Sequence, residues 1–243
     1  MAKKDRKTAS TDPTKRILVV VTSAGSYEKV GYRTGLWLGE LTHFHDVVEK
    51  AGHAVVIASV AGGRVPIDPE SLGSLVLKMG GTQERYEDPA YMALLENTLS
   101  LDEVADQQFD AIYLAGGHGT MFDFPHSDAL GRLIVDTWQR DGIVSAVCHG
   151  PAGLITVRLP DGTALIKGRK LTGFSWAEEK LAGRDQAVPF RLDEQLKAQG
   201  AKYTKALRPM AEKVVRDGNL VTGQNPMSAK GVAEEVVKLL ARS

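Results

Sequence analysis

Ile143-Val144-Ser145-Ala146-Val147-Cys148-His149-Gly150-Pro151 is the stretch that decides how this chain reads. Five small or branched residues make a buried-looking strand, which runs straight into the sole cysteine, a histidine, a glycine and a proline positioned to open a helix. Ala146 and Gly150 are small enough to let the chain turn sharply, giving the segment the shape of a nucleophile elbow at a strand end. Comparable apolar runs lie on either side, at Ile17 to Thr22, Ala54 to Ser59, Ala111 to Ala115, Lys170 to Gly173 and Leu220 to Thr222. Segments of helical period fill most of the gaps. This alternation predicts an α/β fold, a doubly wound and mostly parallel sheet with helices on both faces. Asp88-Pro89 is expected to start a helix carrying Tyr91, Met92, Leu94 and Leu95. Ser228 is expected to cap a last helix whose stripe is Val232, Val236, Leu239 and Leu240.

The 243 residues carry 30 Lys plus Arg against 30 Asp plus Glu, a balance that excludes an electrostatic nucleic-acid binder. The longest apolar runs fall far below the roughly 18 residues a spanning helix needs, so no membrane partner is expected. One cysteine precludes an intrachain disulfide. The opening MAKKDRKTASTDPTKR has no apolar h-region behind it, and together with the cysteine count this points to a reducing, cytoplasmic setting. Residues 1–16 read as a flexible basic tail and 17–243 as a single domain.

Reactive groups in such sheets collect where strands end. Cys148 fits a thiolate favoured by a following helix N-terminus, and equally a buried structural cysteine. No histidine follows the elbow, so the downstream His-x-Glu pair of a glutamine amidotransferase is absent, and a base must be His149 or an earlier residue such as His118. Gly116-Gly117-His118-Gly119 lacks the lysine-threonine ending and the spacing of a nucleotide loop; its glycines could instead bring N–H groups to an oxyanion. Glu40 interrupts an apolar stripe formed with Leu36, Trp37, Phe44, Val47 and Val48, so its pKa is expected to rise. In His43-Phe44-His45-Asp46 the two histidines, two apart on a helix, point in different directions and no Cys or His cluster completes a set, so no metal site is expected there. Glu178-Glu179, taken alone, reads as a solvated helix turn.

With those positions in hand, the chain resembles the ThiJ/PfpI superfamily, within the branch of glutathione-independent glyoxalases (glyoxalase III) and heat-shock chaperones. The carriers are Gly35-Leu36-Trp37-Leu38-Gly39-Glu40-Leu41, Ala58 to Gly63 through Pro66-Ile67-Asp68-Pro69, Ala115 to Met121, Ala146 to Pro151, Leu171-Thr172-Gly173-Phe174, and Val221 to Pro226. The resemblance implies a flavodoxin-like, class I glutamine amidotransferase-like domain, with Cys148 as nucleophile, His149 beside it and Glu40 hydrogen-bonded to the thiol. It also implies an acid that orients the histidine, matched by Glu179 with Glu178 as a close competitor, and a homodimer. The activity implied is conversion of methylglyoxal or a similar small 2-oxoaldehyde to a D-lactate-type hydroxy acid, a lyase reaction needing no cofactor or metal. In it Gly116, Gly117, His118 and the His149 N–H would serve the oxyanion and substrate. A cysteine peptidase or amidohydrolase, and a stress-response holdase or redox sensor, are the alternatives.

Overall fold

The computed structural model describes residues 14–242; the expected tail therefore lies outside the described residues up to position 13. Arg16, assigned from sequence to that tail, is the first residue of β1 (Arg16–Val21), which pairs in parallel with β2 (Ala54–Ser59). Ile17 through Val21 are all fully buried, so β1 is covered on both faces, as its unbroken apolar run requires. The other main-sheet strands are β3 (Leu99–Ser100), β4 (Ala111–Leu114), β5 (Ile143–Val147), β8 (Val214–Asp217) and β9 (Leu220–Gly223). Their order is β3-β2-β1-β4-β5-β9-β8, with every pairing parallel except β8 against β9.

From β1 the chain steps outward to β2 through helix Leu38–Lys50, and from β4 it steps the opposite way to β5 through helix Asp128–Gln139. Right-handed crossovers in opposite directions put these helices on opposite faces, and they open a crevice at the carboxyl ends of β1 and β4. Helix Ala229–Leu240 packs on helix Leu38–Lys50, burying Val232, Val236, Leu239 and Leu240 as its stripe demands.

Several local expectations are corrected. The run Lys170 to Gly173 is not a strand of the main sheet. Only Lys170–Leu171 (β6) is extended, paired with Lys202–Tyr203 (β7) in a two-stranded ribbon. Ser228 precedes the last helix but does not cap it, because its hydroxyl accepts from Lys213 N–H and bonds Asn225 Oδ1; a turn of 3-10 helix at Pro226–Ser228 leads in instead. Asp88 does cap, accepting from Ala90 N–H, but that helix is only Pro89–Ala93. Among the described residues no helix is long and apolar enough to cross a membrane.

Candidate active site

Cys148 sits one residue beyond β5 with φ of 57°, a left-handed conformation that costs a non-glycine residue about 1 kcal/mol or more. Two backbone bonds hold it there: its N–H donates to Gly223 O at 3.0 Å, and its carbonyl accepts from Phe174 N–H at 2.7 Å. Gly150 completes the turn, since a Cβ at that position would lie 2.2 Å from Leu114 O. The expected elbow is therefore present. The helix after it is a five-residue 3-10 segment, Gly150–Leu154, too short to bring the macrodipole that would favour a thiolate.

Glu40 comes from the first turn of helix Leu38–Lys50, which begins after Leu36 and Trp37. The carboxyl is fully buried, and Tyr113, stacked on Phe44 at 3.6 Å between ring centroids, donates its hydroxyl to the Glu40 carbonyl. Glu40 Oε2 accepts from Gly116 N–H at 2.7 Å, whereas Oε1 is buried without a partner in the resting geometry. Burial raises this carboxyl to about 8, against weaker lowering by the neighbouring thiol and the Gly116 amide. Burial also pushes the Cys148 thiol well up, and the adjacent Glu40 adds to the effect. Both shifts favour the protonated form of each acid, the direction opposite to the one a helix N-terminus would give the sulfur. Only 3% of Cys148 is exposed, and that surface faces a cavity.

His149 Nδ1 lies 3.3 Å from Cys148 Sγ, and its Nε2 is 2.9 Å from Glu179 Oε2. The second oxygen of Glu179, Oε1, is 2.7 Å from His118 Nε2. The two imidazole rings stand 4.1 Å apart, and Phe174 packs against His149 at 4.4 Å. Burial alone would raise Glu179, but the hydrogen bonds and electrostatic attraction of the two rings override it and hold the carboxyl well below the usual range. Burial, then the neighbouring His118, push His149 down to about 4 despite Glu179. An ionised carboxylate accepts only, so each Nε2 carries the proton and His149 Nδ1 presents its lone pair to the thiol.

Glu179, and not its competitor Glu178, therefore reaches the histidine. Ser175 caps helix Trp176–Leu181 in a capping box with Glu178, and Glu178 Oε1 accepts from Asn225 Nδ2 and Met210 N–H. With Glu178 fixed in that way, the next residue turns toward the sheet edge. Both glutamates are buried, contrary to the solvated turn read from their sequence alone. Gly116 is corrected as an oxyanion donor because its N–H is taken by Glu40. The N–H groups of Gly117 and His149 engage in no described hydrogen bond, and both residues line the cavity.

That cavity has a volume of about 230 Å³ and joins Cys148, His149, His118 and Gly117 to a largely apolar wall of Trp37, Phe174, Leu181 and Met210. The wall residues come from four separate segments, and spacing could not have assembled them. Two groups of described residues have metal-ligating types close together. In one, His45, Asp46 and Glu49, the Arg85 guanidinium already binds both carboxylates, at 2.7 Å from Asp46 and 2.8 Å from Glu49. The other is the His118, His149 and Glu179 cluster, whose facing atoms are matched as donors and acceptor. His43 is elsewhere, its Nε2 2.5 Å from Gly80 O.

The DJ-1/PfpI family pattern matches residues 35–239. Glutathione-independent glyoxalase hsp3101 of Schizosaccharomyces pombe is 31% identical over 236 residues, spanning 93% of this chain and 95% of that protein. The crystal structure of glyoxalase III from Candida albicans superposes with a TM-score of 0.85 at 30% identity, over 92% of this chain and 96% of that one. Rapid Encystment Protein 24 kDa of Francisella tularensis superposes with a TM-score of 0.88 at 36% identity, over 93% and 99% of the two chains.

Proposed function

The chain belongs to the DJ-1/PfpI family, and we propose that it is an enzyme of the glyoxalase III type, converting methylglyoxal or a similar 2-oxoaldehyde to a D-lactate-type hydroxy acid without glutathione. The observation that carries this reading is Cys148 lining a small cavity, with the Nδ1 of a Glu179-oriented His149 against its sulfur and the buried Glu40 carboxyl beside it. The similarity to hsp3101 and to Candida glyoxalase III supports it independently.

In the proposed reaction the thiol proton passes to His149 Nδ1 as sulfur bonds to the aldehyde carbon. The new oxyanion is met by the Gly117 and His149 N–H groups and then takes that proton, which gives a neutral hemithioacetal. Protonated Glu40 can donate to the neighbouring oxygen, while neutral His149 is the base for the carbon-bound hydrogen. An enediol forms, His149 returns its proton to the second carbon, and the first hydroxyl gives its proton back to the Glu40 carboxylate as its oxygen becomes the carbonyl of a Cys148 thioester. Water then hydrolyses the thioester to the hydroxy acid. One substrate carbon is oxidised as its neighbour is reduced, so the redox change is internal to the substrate. The lyase classification, the homodimer and the cytoplasmic setting extend this proposal from the resemblance.

The cavity's size favours a small aldehyde over the peptidase alternative, since a peptide needs an extended groove. The test is incubation with methylglyoxal in chelator-treated, glutathione-free buffer followed by chiral lactate analysis. D-lactate from the wild type and none from Cys148→Ala is expected. Cys148-dependent peptide cleavage without lactate would transfer the case to the peptidase, and aggregation suppression unchanged in Cys148→Ala, again without lactate, would transfer it to the holdase.

A further inference from the structure

His118 has a geometry that bracing Glu179 does not use up. Its ring is buried, its Nε2 is spent on Glu179 Oε1 at 2.7 Å, and it lines the same cavity as Cys148. No described hydrogen bond involves His118 Nδ1, yet that nitrogen is not among the buried atoms left without a partner. It therefore keeps some accessible surface, and the ring that carries it lines the cavity. With Nε2 donating to a carboxylate, Nδ1 carries a lone pair, the same tautomer and orientation that Glu179 imposes on His149. The two dyads share one carboxylate: His149 Nδ1 meets the sulfur, whereas His118 Nδ1 meets no described partner in a ring that lines the cavity beside it.

We propose that His118 is a second general base, which takes a proton from the water that hydrolyses the Cys148 thioester. The inference rests on the glyoxalase reading and assigns its last step. In that step the water oxygen bonds to the acyl carbon, and one water proton goes to His118 Nδ1. The carbon–sulfur bond breaks with its electron pair on Sγ. The remaining proton of the new carboxylic acid reaches the sulfur through His149 Nδ1, which restores the thiol. The product departs as a carboxylate, and His118 releases its proton through the cavity mouth to solvent. Hydrolysis thus sends two protons to two destinations, the sulfur and the solvent, and the site offers one imidazole acceptor for each. Glu179 touches both rings, so it is counter-ion to whichever is charged without moving.

The test is His118→Gln, which keeps an N–H to give to Glu179 but has no basic nitrogen. Wild type and variant are mixed with methylglyoxal and quenched rapidly into hydroxylamine, which converts a thioester to lactohydroxamate but a hemithioacetal only to an oxime. The expected variant shows turnover lowered at least about 100-fold, with lactohydroxamate trapped at close to one per enzyme, against little trapped from wild type. His118→Asn, too short to reach Glu179, is the second variant if Gln does not fold. Near-normal turnover with no trapped thioester would overturn the proposal and leave His118 as a brace. Loss of both turnover and lactohydroxamate would also overturn it, because His118 would then act before the thioester. If the wild type yields neither lactate nor hydroxamate, the glyoxalase reading itself fails, a result distinct from either.

Discussion

Replacing Glu40 with Gln should make this protein more stable at neutral pH while disabling it. The carboxyl is fully buried and raised from 4.5 to about 8, so between those pH values the unfolded chain ionises at this position and the folded chain does not. The folded state then binds the extra proton. Its contribution is complete below pH 4.5, declines by about 1.4 kcal/mol for each pH unit above that, and is exhausted near pH 8. At pH 7 the accumulated loss is roughly 3 kcal/mol, an order-of-magnitude figure for a carboxyl beside another buried acid. Gln has the same shape and no proton to lose. Its oxygen can accept from Gly116 N–H as Glu40 Oε2 does at 2.7 Å, and its amide nitrogen occupies the site of Oε1, which has no partner now. Urea unfolding at pH 4.5 and pH 7, on wild type and variant, isolates the effect because every other titrating group is common to both. The two proteins should have similar stability at pH 4.5, and the variant should gain about 2–3 kcal/mol at pH 7. Catalysis should fall by about 10²- to 10⁴-fold, since an amide cannot deliver a proton. A variant that is less stable than wild type at pH 7, or whose stability changes with pH in parallel with wild type, would refute the burial of a protonated carboxyl at this position.

The pH profile of kcat/KM should be bell-shaped, rising as His149 loses its proton near 4 and falling as Glu40 loses its own near 8; these are apparent values of a coupled site, and a profile flat from pH 6 to 10 would contradict the assignment. Glu179→Gln leaves one acceptor oxygen for two imidazoles, turns a donor N–H toward the other ring and removes the negative charge, and turnover should drop about 10²- to 10⁴-fold with little change in circular dichroism. Gly150→Ala drives a methyl to 2.2 Å from Leu114 O, and thermal melts should show destabilisation of about 2 kcal/mol or more together with reduced thiol alkylation.

What could be read in the sequence followed periodicity and local turn chemistry. The apolar run of β1, and that of β5 interrupted only by Ser145, are best buried between two layers of helix, and both strands lie where that logic put them. Glu40 was legible because a carboxylate inside an apolar helical stripe has few alternatives to desolvation. The two-residue strands β3 and β7 were not legible in the same way, since pairs such as Leu99–Ser100 carry no period and form only because a neighbour offers backbone groups. Ser228 misled because a serine before a helix has the same appearance whether its hydroxyl caps or, as here, serves Lys213, just ahead of β8, and Asn225, three residues back. The choice between Glu178 and Glu179 depended on Asn225 and Met210, more than thirty residues away, which claim the first glutamate. The shortness of the 3-10 segment after Cys148 was also not legible, since a Gly-Pro opening looks the same before a long helix and a short one. The His118 contact to Glu179 likewise joins residues 61 apart, and no spacing rule announces it.

The most direct measurement of the covalent route is peptide mapping after rapid acid quench of wild type and Cys148→Ala with carbon-13-labelled methylglyoxal. The expected result is a three-carbon adduct on the Cys148 peptide of the wild type that appears within the first turnover and decays as labelled D-lactate is released. Label confined to surface lysines and arginines, at equal levels in the two proteins and with no transient adduct on the sulfur, would contradict the account.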